Sequence, residues 1–138
     1  MPRLTLDANI FISALVFGGK PERLLEMALR GEVEIFITDE IVAEISRVLA
    51  RPKFGLNAEE IAEAQHYIGK CTKRVMPTMK VNEVESDPDD NKIVECAVES
   101  GSEAIVTHDT DLLRMGSYQG IEMIKVGAFL HRVQGWRR

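Results

Sequence analysis

Acidic residues gather where regular structure should begin along this chain. The stretch SDPDDNKIVECA, residues 86–97, packs three aspartates into four positions and then turns amphipathic. Asp87 is suited to cap a helix with Pro88 as its first residue. Asp90 is less simply explained. At about 100° per residue it shares a face with Ile93, Val94, Ala97 and Val98, and so should look toward the sheet edge and not toward bulk water. Asp7 directly follows the strand-like RLTL, and Asp109 lies just beyond EAIVT. Glu44 sits in the middle of DEIVAEISRVLA, where no cap is needed, about 40° beyond the arc of Ile41, Val42, Ile45, Val48 and Leu49. Singly, each has an ordinary use. Aspartate is a favoured N-cap, and Glu44 could pair with Arg47 for roughly 0.2–0.5 kcal/mol.

Together, Asp7, Glu44, Asp90 and Asp109 suit a chemistry that capping does not supply. Hard divalent cations such as Mg²⁺ or Mn²⁺ take oxygen ligands and are held by a few carboxylates plus substrate phosphate oxygens. A phosphodiester is then the natural substrate, because one or two such ions can activate water and neutralise the leaving oxygen. The charge balance agrees. With 17 Lys plus Arg against 22 Asp plus Glu, the formal net charge is -5, which excludes a chain-wide basic footprint for a polyanion. Bound cations would have to bridge the two. Local positive charge comes from Lys70, Lys73, Arg74 and Lys80, and from Arg132, Arg137 and Arg138. Asp89 and Asp111 rank behind the quartet, since acids in a helix first turn favour the macrodipole by about 0.3–1 kcal/mol. His108 flanks Asp109 and should point away from it; His66 and His131 have no acidic or cysteine partner at ligand spacing.

The elements that must position these acids alternate. RLTL (3–6) reads as a strand, NIFISALV as a helix broken at Gly18-Gly19, and a second helix runs from Pro21 to about Arg30. VEIFIT (33–38) is a strand whose Thr38 can cap DEIVAEISRVLA, a helix that stops near Arg51-Pro52. Asn57 opens AEEIAEAQHYIGKC. CTKRVMPTM (71–79) should hold a short strand around Val75, weakened by Pro77, and EAIVT (103–107) is the clearest buried strand. HDTDLLRMG reads as a short helix or turn, GIEMIKV as the last strand and GAFLHRVQ as a C-terminal helix. Such alternation implies a parallel sheet with helices on both faces and ligands at the carboxyl ends of its strands. At 138 residues and 45% hydrophobic, one domain over 1–138 is expected. No apolar run approaches membrane-spanning length and no leader pattern opens the chain, so a cytoplasmic protein without membrane contact is expected. Cys71 and Cys96 show no metal or disulfide spacing and read as core residues.

TLDANIFISAL, the Glu44 helix, DPDDNKIVECA and IVTHDTDLL, in that order over essentially the whole chain, resemble the PIN-domain family of metal-dependent ribonucleases. Within it, the chain is most similar to VapC-like toxin components of prokaryotic type II toxin-antitoxin systems. The resemblance implies a three-layer α/β/α fold with a parallel sheet of about five strands. It implies Asp7, Glu44, Asp90 and Asp109 as a catalytic, metal-binding quartet for Mg²⁺ or Mn²⁺, supported by Asn9, Thr107 and Asp111. It also implies cleavage of single-stranded RNA, a cognate antitoxin and homodimerisation. A catalytically silent PIN-fold module that binds RNA or protein is the alternative, though such a module would be expected to lose acids that this chain retains. A phospho-accepting receiver domain would also be small and doubly wound, with Thr107 and Lys125 in suitable places, but RVMPTMK offers no acceptor aspartate after a third strand.

Overall fold

The computed structural model describes residues 1–78 and 88–136. Four strands are mostly or wholly buried runs of apolar residues: β1 (Arg3–Leu6), β2 (Glu34–Ile37), β4 (Ala104–Val106) and β6 (Ile121–Ile124). Strands covered on both faces have this composition, and parallel sheets require it. With β3 (Thr72–Arg74) and β5 (Ser117–Tyr118), they form a six-stranded sheet in the order β3-β2-β1-β4-β6-β5. The first five are parallel, and register places Leu4 beside Ile35 on one side and Ala104 on the other.

Two details depart from the sequence-based expectation. β3 does not centre on Val75; it leaves the preceding helix directly as Thr72–Arg74, a polar edge strand. The sixth strand, β5, runs antiparallel to β6 through a tight hairpin whose central residues, Gln119 and Gly120, have φ of 49° and 82°. Paired positive φ values match the right-handed twist of the flanking strands. Gln-Gly is a weak form of that turn signal, which is why the hairpin is hard to read from sequence.

The helices are α1 (Ala8–Val16), α2 (Gly19–Leu29), α3 (Asp39–Leu49), α4 (Ala58–Cys71), α5 (Pro88–Ser100), α6 (Thr110–Met115) and α7 (Val126–Trp136). Their starts follow side-chain chemistry. Thr38 Oγ1 accepts from the Ile41 N–H at 3.3 Å, and Asn57 and Glu60 form a reciprocal capping box at 2.8 and 2.9 Å. The proposed Asp87 cap lies outside the described residues. After β1 the chain moves one way to β2 and β3, then crosses back to β4 on β1's other side. Right-handed crossovers in opposite directions put helices on opposite faces. Accordingly α5 packs across β1, β2 and β4, while α2 packs against both α1 and α7.

The core is centred on Leu4, Leu6, Phe11, Ile35, Ile45 and Ile93, all essentially inaccessible. A polar thread runs through it. The hydroxyls of Thr5 and Ser102 lie 2.9 Å apart, those of Ser102 and Ser100 2.6 Å apart, and Thr5 Oγ1 donates to Cys96 Sγ at 3.7 Å. Cys71 and Cys96 are both buried and free, as expected of core residues. Burial pushes the Cys96 thiol up to about 11, against the pull of the Thr5 bond. Among the described residues no helix is long and apolar enough to cross a membrane.

Candidate metal centre

β1 and β4 are neighbours at the point where the strand order reverses, and open α/β sheets form a crevice outside their carboxyl ends there. Asp7 stands at the end of β1, and its backbone N–H donates to the Val106 carbonyl of β4 at 3.0 Å. Its side chain also caps α1, accepting from the Asn9 N–H on Oδ1 at 3.4 Å. Thr107, fully buried just past β4, donates its hydroxyl to Asp7 Oδ2 at 2.8 Å and accepts the Asp109 N–H at 2.9 Å. Asp109 in turn caps α6, receiving the N–H groups of Asp111 and Leu112 at 2.9 and 3.0 Å. One threonine hydroxyl therefore locks the two strand ends together.

The crevice holds a cavity of about 240 Å³ lined by Asp7, Asn9, Glu44, Asp90 and Asp109, with Val48, Ile93 and Arg51 completing much of the wall. Asp90 is buried, as its place on the apolar face of α5 requires, and Glu44 is half-buried on the flank of α3. One carboxylate oxygen from each of Asp90, Asp109 and Asp111 lies within 4.8 Å of the other two. This tightest group differs from the expected quartet: Asp111, ranked second from sequence, belongs to it, while Asp7 and Glu44 do not. The hydrogen bonds on Asp7 tie its carboxylate back against the end of β4. Its acidity reflects the site. Burial pushes the Asp7 carboxyl above its ordinary value, the Thr107 and Asn9 bonds pull it back, and the charge on Asp109 adds to the rise.

Among the described residues that line the cavity there is no cysteine or histidine; His108 is exposed. An oxygen-only donor set with several carboxylates fits a hard divalent cation and not zinc or copper. Asn9 lines the cavity as expected, and Thr107 acts through Asp7 from behind it. Sequence reasoning missed Arg51, the one cation among the described residues on this wall. Its only signal was position, two residues past the last turn of the helix that carries Glu44 and immediately before Pro52.

Three of the candidate cations for polyanion contact are paired with acids. Lys73 pairs with Glu34 at 2.5 Å, Arg74 with Asp39, and Arg132 with Glu122 through two bonds of 2.7 and 2.9 Å. Lys70 is exposed. Lys80, Arg137 and Arg138 lie outside the described residues.

A doubly wound α/β sheet with an acidic pocket at its switch point defines the class of protein. The chain belongs to the PIN-domain family, whose model matches residues 3–111. Its fold is similar to that of VapBC2 from Rickettsia felis, solved as a crystal structure bound to a DNA fragment from their promoter. The TM-score is 0.66 at 14% identity, over 89% of this chain and 98% of that one. No curated protein matches it in sequence.

Proposed function

We propose that this PIN domain is a Mg²⁺- or Mn²⁺-dependent endoribonuclease that cuts single-stranded RNA, and that it is the toxin of a toxin-antitoxin pair. The observation that carries the reading is the convergence of carboxylates from four helices or helix starts on one crevice, with Asp90, Asp109 and Asp111 mutually within 4.8 Å. Charges so close repel, and a divalent ion relieves that repulsion. Asp90, Asp109 and Asp111 would hold the ion, with Glu44 and Asp7 facing the same space. When bound, it supplies charge neutralisation for the phosphodiester and a more acidic water. Thr107 and the Asn9 N–H hold the Asp7 carboxylate in one orientation. A single strand is the favoured substrate because its splayed phosphates can reach an acidic crevice that a duplex holds its backbone away from.

The likeness to VapBC2 supports a partner antitoxin for this chain, with a homodimer as the companion expectation. The deciding experiment is a gel assay of purified protein on labelled single-stranded RNA with Mg²⁺, with Mn²⁺ and with EDTA, beside Asp7→Asn. Metal-dependent internal cleavage lost in the variant is the expected result. RNA that is bound but left intact under every metal condition would overturn catalysis in favour of a binding module.

A further inference from the structure

Arg51 is placed where a cation has a cost. It shares the cavity with Asp7, Glu44, Asp90 and Asp109, so its charge opposes the entry of the divalent ion those acids attract. Among the described residues, its guanidinium makes no ion pair or hydrogen bond that would explain its presence. Lys73, Arg74 and Arg132, by contrast, are each matched to an acid.

The backbone carries Arg51 to this place deliberately. Glu44, Val48 and Arg51 are spaced i, i+4 and i+7, so they follow one stripe along α3 and past its end. Pro52 forces the preceding residue out of the helical region, and Arg51 is accordingly extended at φ -63° and ψ 137°. Its N–H donates to the Val48 carbonyl and its carbonyl accepts from Phe54, both at 3.1 Å, so the turn is held on each side. It begins the short 3₁₀ turn Pro52–Phe54 without using its side chain as a cap. The side chain therefore has no local structural duty. At about 1.5 Å rise per residue, seven residues put the Arg51 Cα roughly 10 Å along the stripe from that of Glu44. Asp7 and Asp90 are buried, Glu44 and Asp109 half-buried and Arg51 exposed, so the cation stands on the solvent side of the acids.

We propose that Arg51 contacts the phosphodiester of the bound RNA, its planar fork donating to the non-bridging oxygens of a phosphate on the solvent side of the acids. This rests on the nuclease reading above and adds the residue that offsets the site's own repulsion of a polyanion. A guanidinium suits the task better than an ammonium because two parallel N–H donors match two phosphate oxygens. The substrate phosphate brings the anion that the fold does not supply.

Arg51→Ala and Arg51→Lys are compared with wild type in three measurements. In single-strand cleavage with Mn²⁺, Arg51→Ala should lower kcat/KM by about 10- to 100-fold, and Arg51→Lys should recover part of the loss. In a thermal-shift titration with Mn²⁺ alone, Arg51→Ala should respond at the same or lower metal concentration than wild type. In an Asp7→Asn background that leaves RNA intact, adding Arg51→Ala should weaken RNA binding and reduce the slope of log K against log salt by about 0.7, one single-strand phosphate contact. Wild-type kcat/KM in Arg51→Ala, with the acids still required, overturns the assignment of Arg51 and leaves the nuclease reading standing. Lost activity that comes with a lost Mn²⁺ response overturns it too, since Arg51 would then act through the fold. A wild type that cuts no RNA overturns both.

Discussion

Replacing Asp90 by asparagine separates a role as a helix-start acid from the proposed role as a metal ligand. The substitution keeps the volume and the hydrogen-bonding shape in the first turn of α5 and removes one charge from a group of three carboxylates within 4.8 Å. At that separation and an effective dielectric of about 20, a pair of carboxylates repels by about 3.5 kcal/mol. Asp109 and Asp111 are only half-buried, so screening cuts this, and about 1–3 kcal/mol in total is expected from removing Asp90. Unfolding entropy of about 2.1 cal/mol/K per residue makes 1 kcal/mol worth roughly 3 °C in a chain of this size. In EDTA, Asp90→Asn should therefore melt about 3–9 °C above wild type. Metal reverses the order of response. At 100 times its Kd, Mn²⁺ stabilises wild type by about 2.7 kcal/mol, near 9 °C; a variant with 100-fold weaker binding gains about 0.4 kcal/mol, near 1 °C. Paired melts in EDTA and across a Mn²⁺ titration read both effects. If the acid only assists the helix start, the variant loses stability equally in both conditions and its metal response is unchanged. That outcome would refute the reasoning.

Thr107→Val keeps the shape of a fully buried side chain but strips a donor from Asp7 and an acceptor from the Asp109 N–H. It should cost about 2–4 kcal/mol in a denaturant melt and lower RNA cleavage at least tenfold, and a loss below about 0.5 kcal/mol would sink the lock between β1 and β4. The Cys96 thiol sets a pH dependence. Folding raises its pKa to about 11, so its contribution is complete below the ordinary thiol value of about 8.5 and is lost as pH rises through about 11. Cys96→Ala should accordingly lose less stability than wild type between pH 8 and 11, and identical slopes in pH-dependent melts would contradict the burial of that thiol.

Much of the fold was legible because local chemistry and burial agree. RLTL is followed by an acid that caps, Thr38 and Asn57 open their helices with side-chain acceptors, and the apolar runs of β2 and β4 are buried as parallel strands must be. The inward face of Asp90 was legible from the same periodicity. β3 and β5 were not, since an edge strand of Thr, Lys and Arg has no alternation to read, and Ser117–Tyr118 is shorter than any period. In the site, spacing could bring the acids to one edge but could not rank them. Asp111 joins the tight group because the α6 turn wraps around the Asp109 carboxylate, and Arg51 reaches the cavity because Pro52 ends its helix; both depend on backbone paths settled only by packing.

The Gln119-Gly120 hairpin has a consequence for how copies of this protein can meet. By folding a two-residue strand back on β6, it covers one margin of the sheet with a stub too short to template another chain. Among the described residues the opposite margin is Thr72–Arg74, with Lys73 and Arg74 on it. Short, charged rims are poor substrates for strand-to-strand growth. Such rims leave the helical faces, where side-chain shape and not the backbone ladder sets recognition, as the surfaces with more to offer a partner. A fold with an acidic crevice at the ends of its strands thus offers, among its described residues, only short margins for another strand to extend.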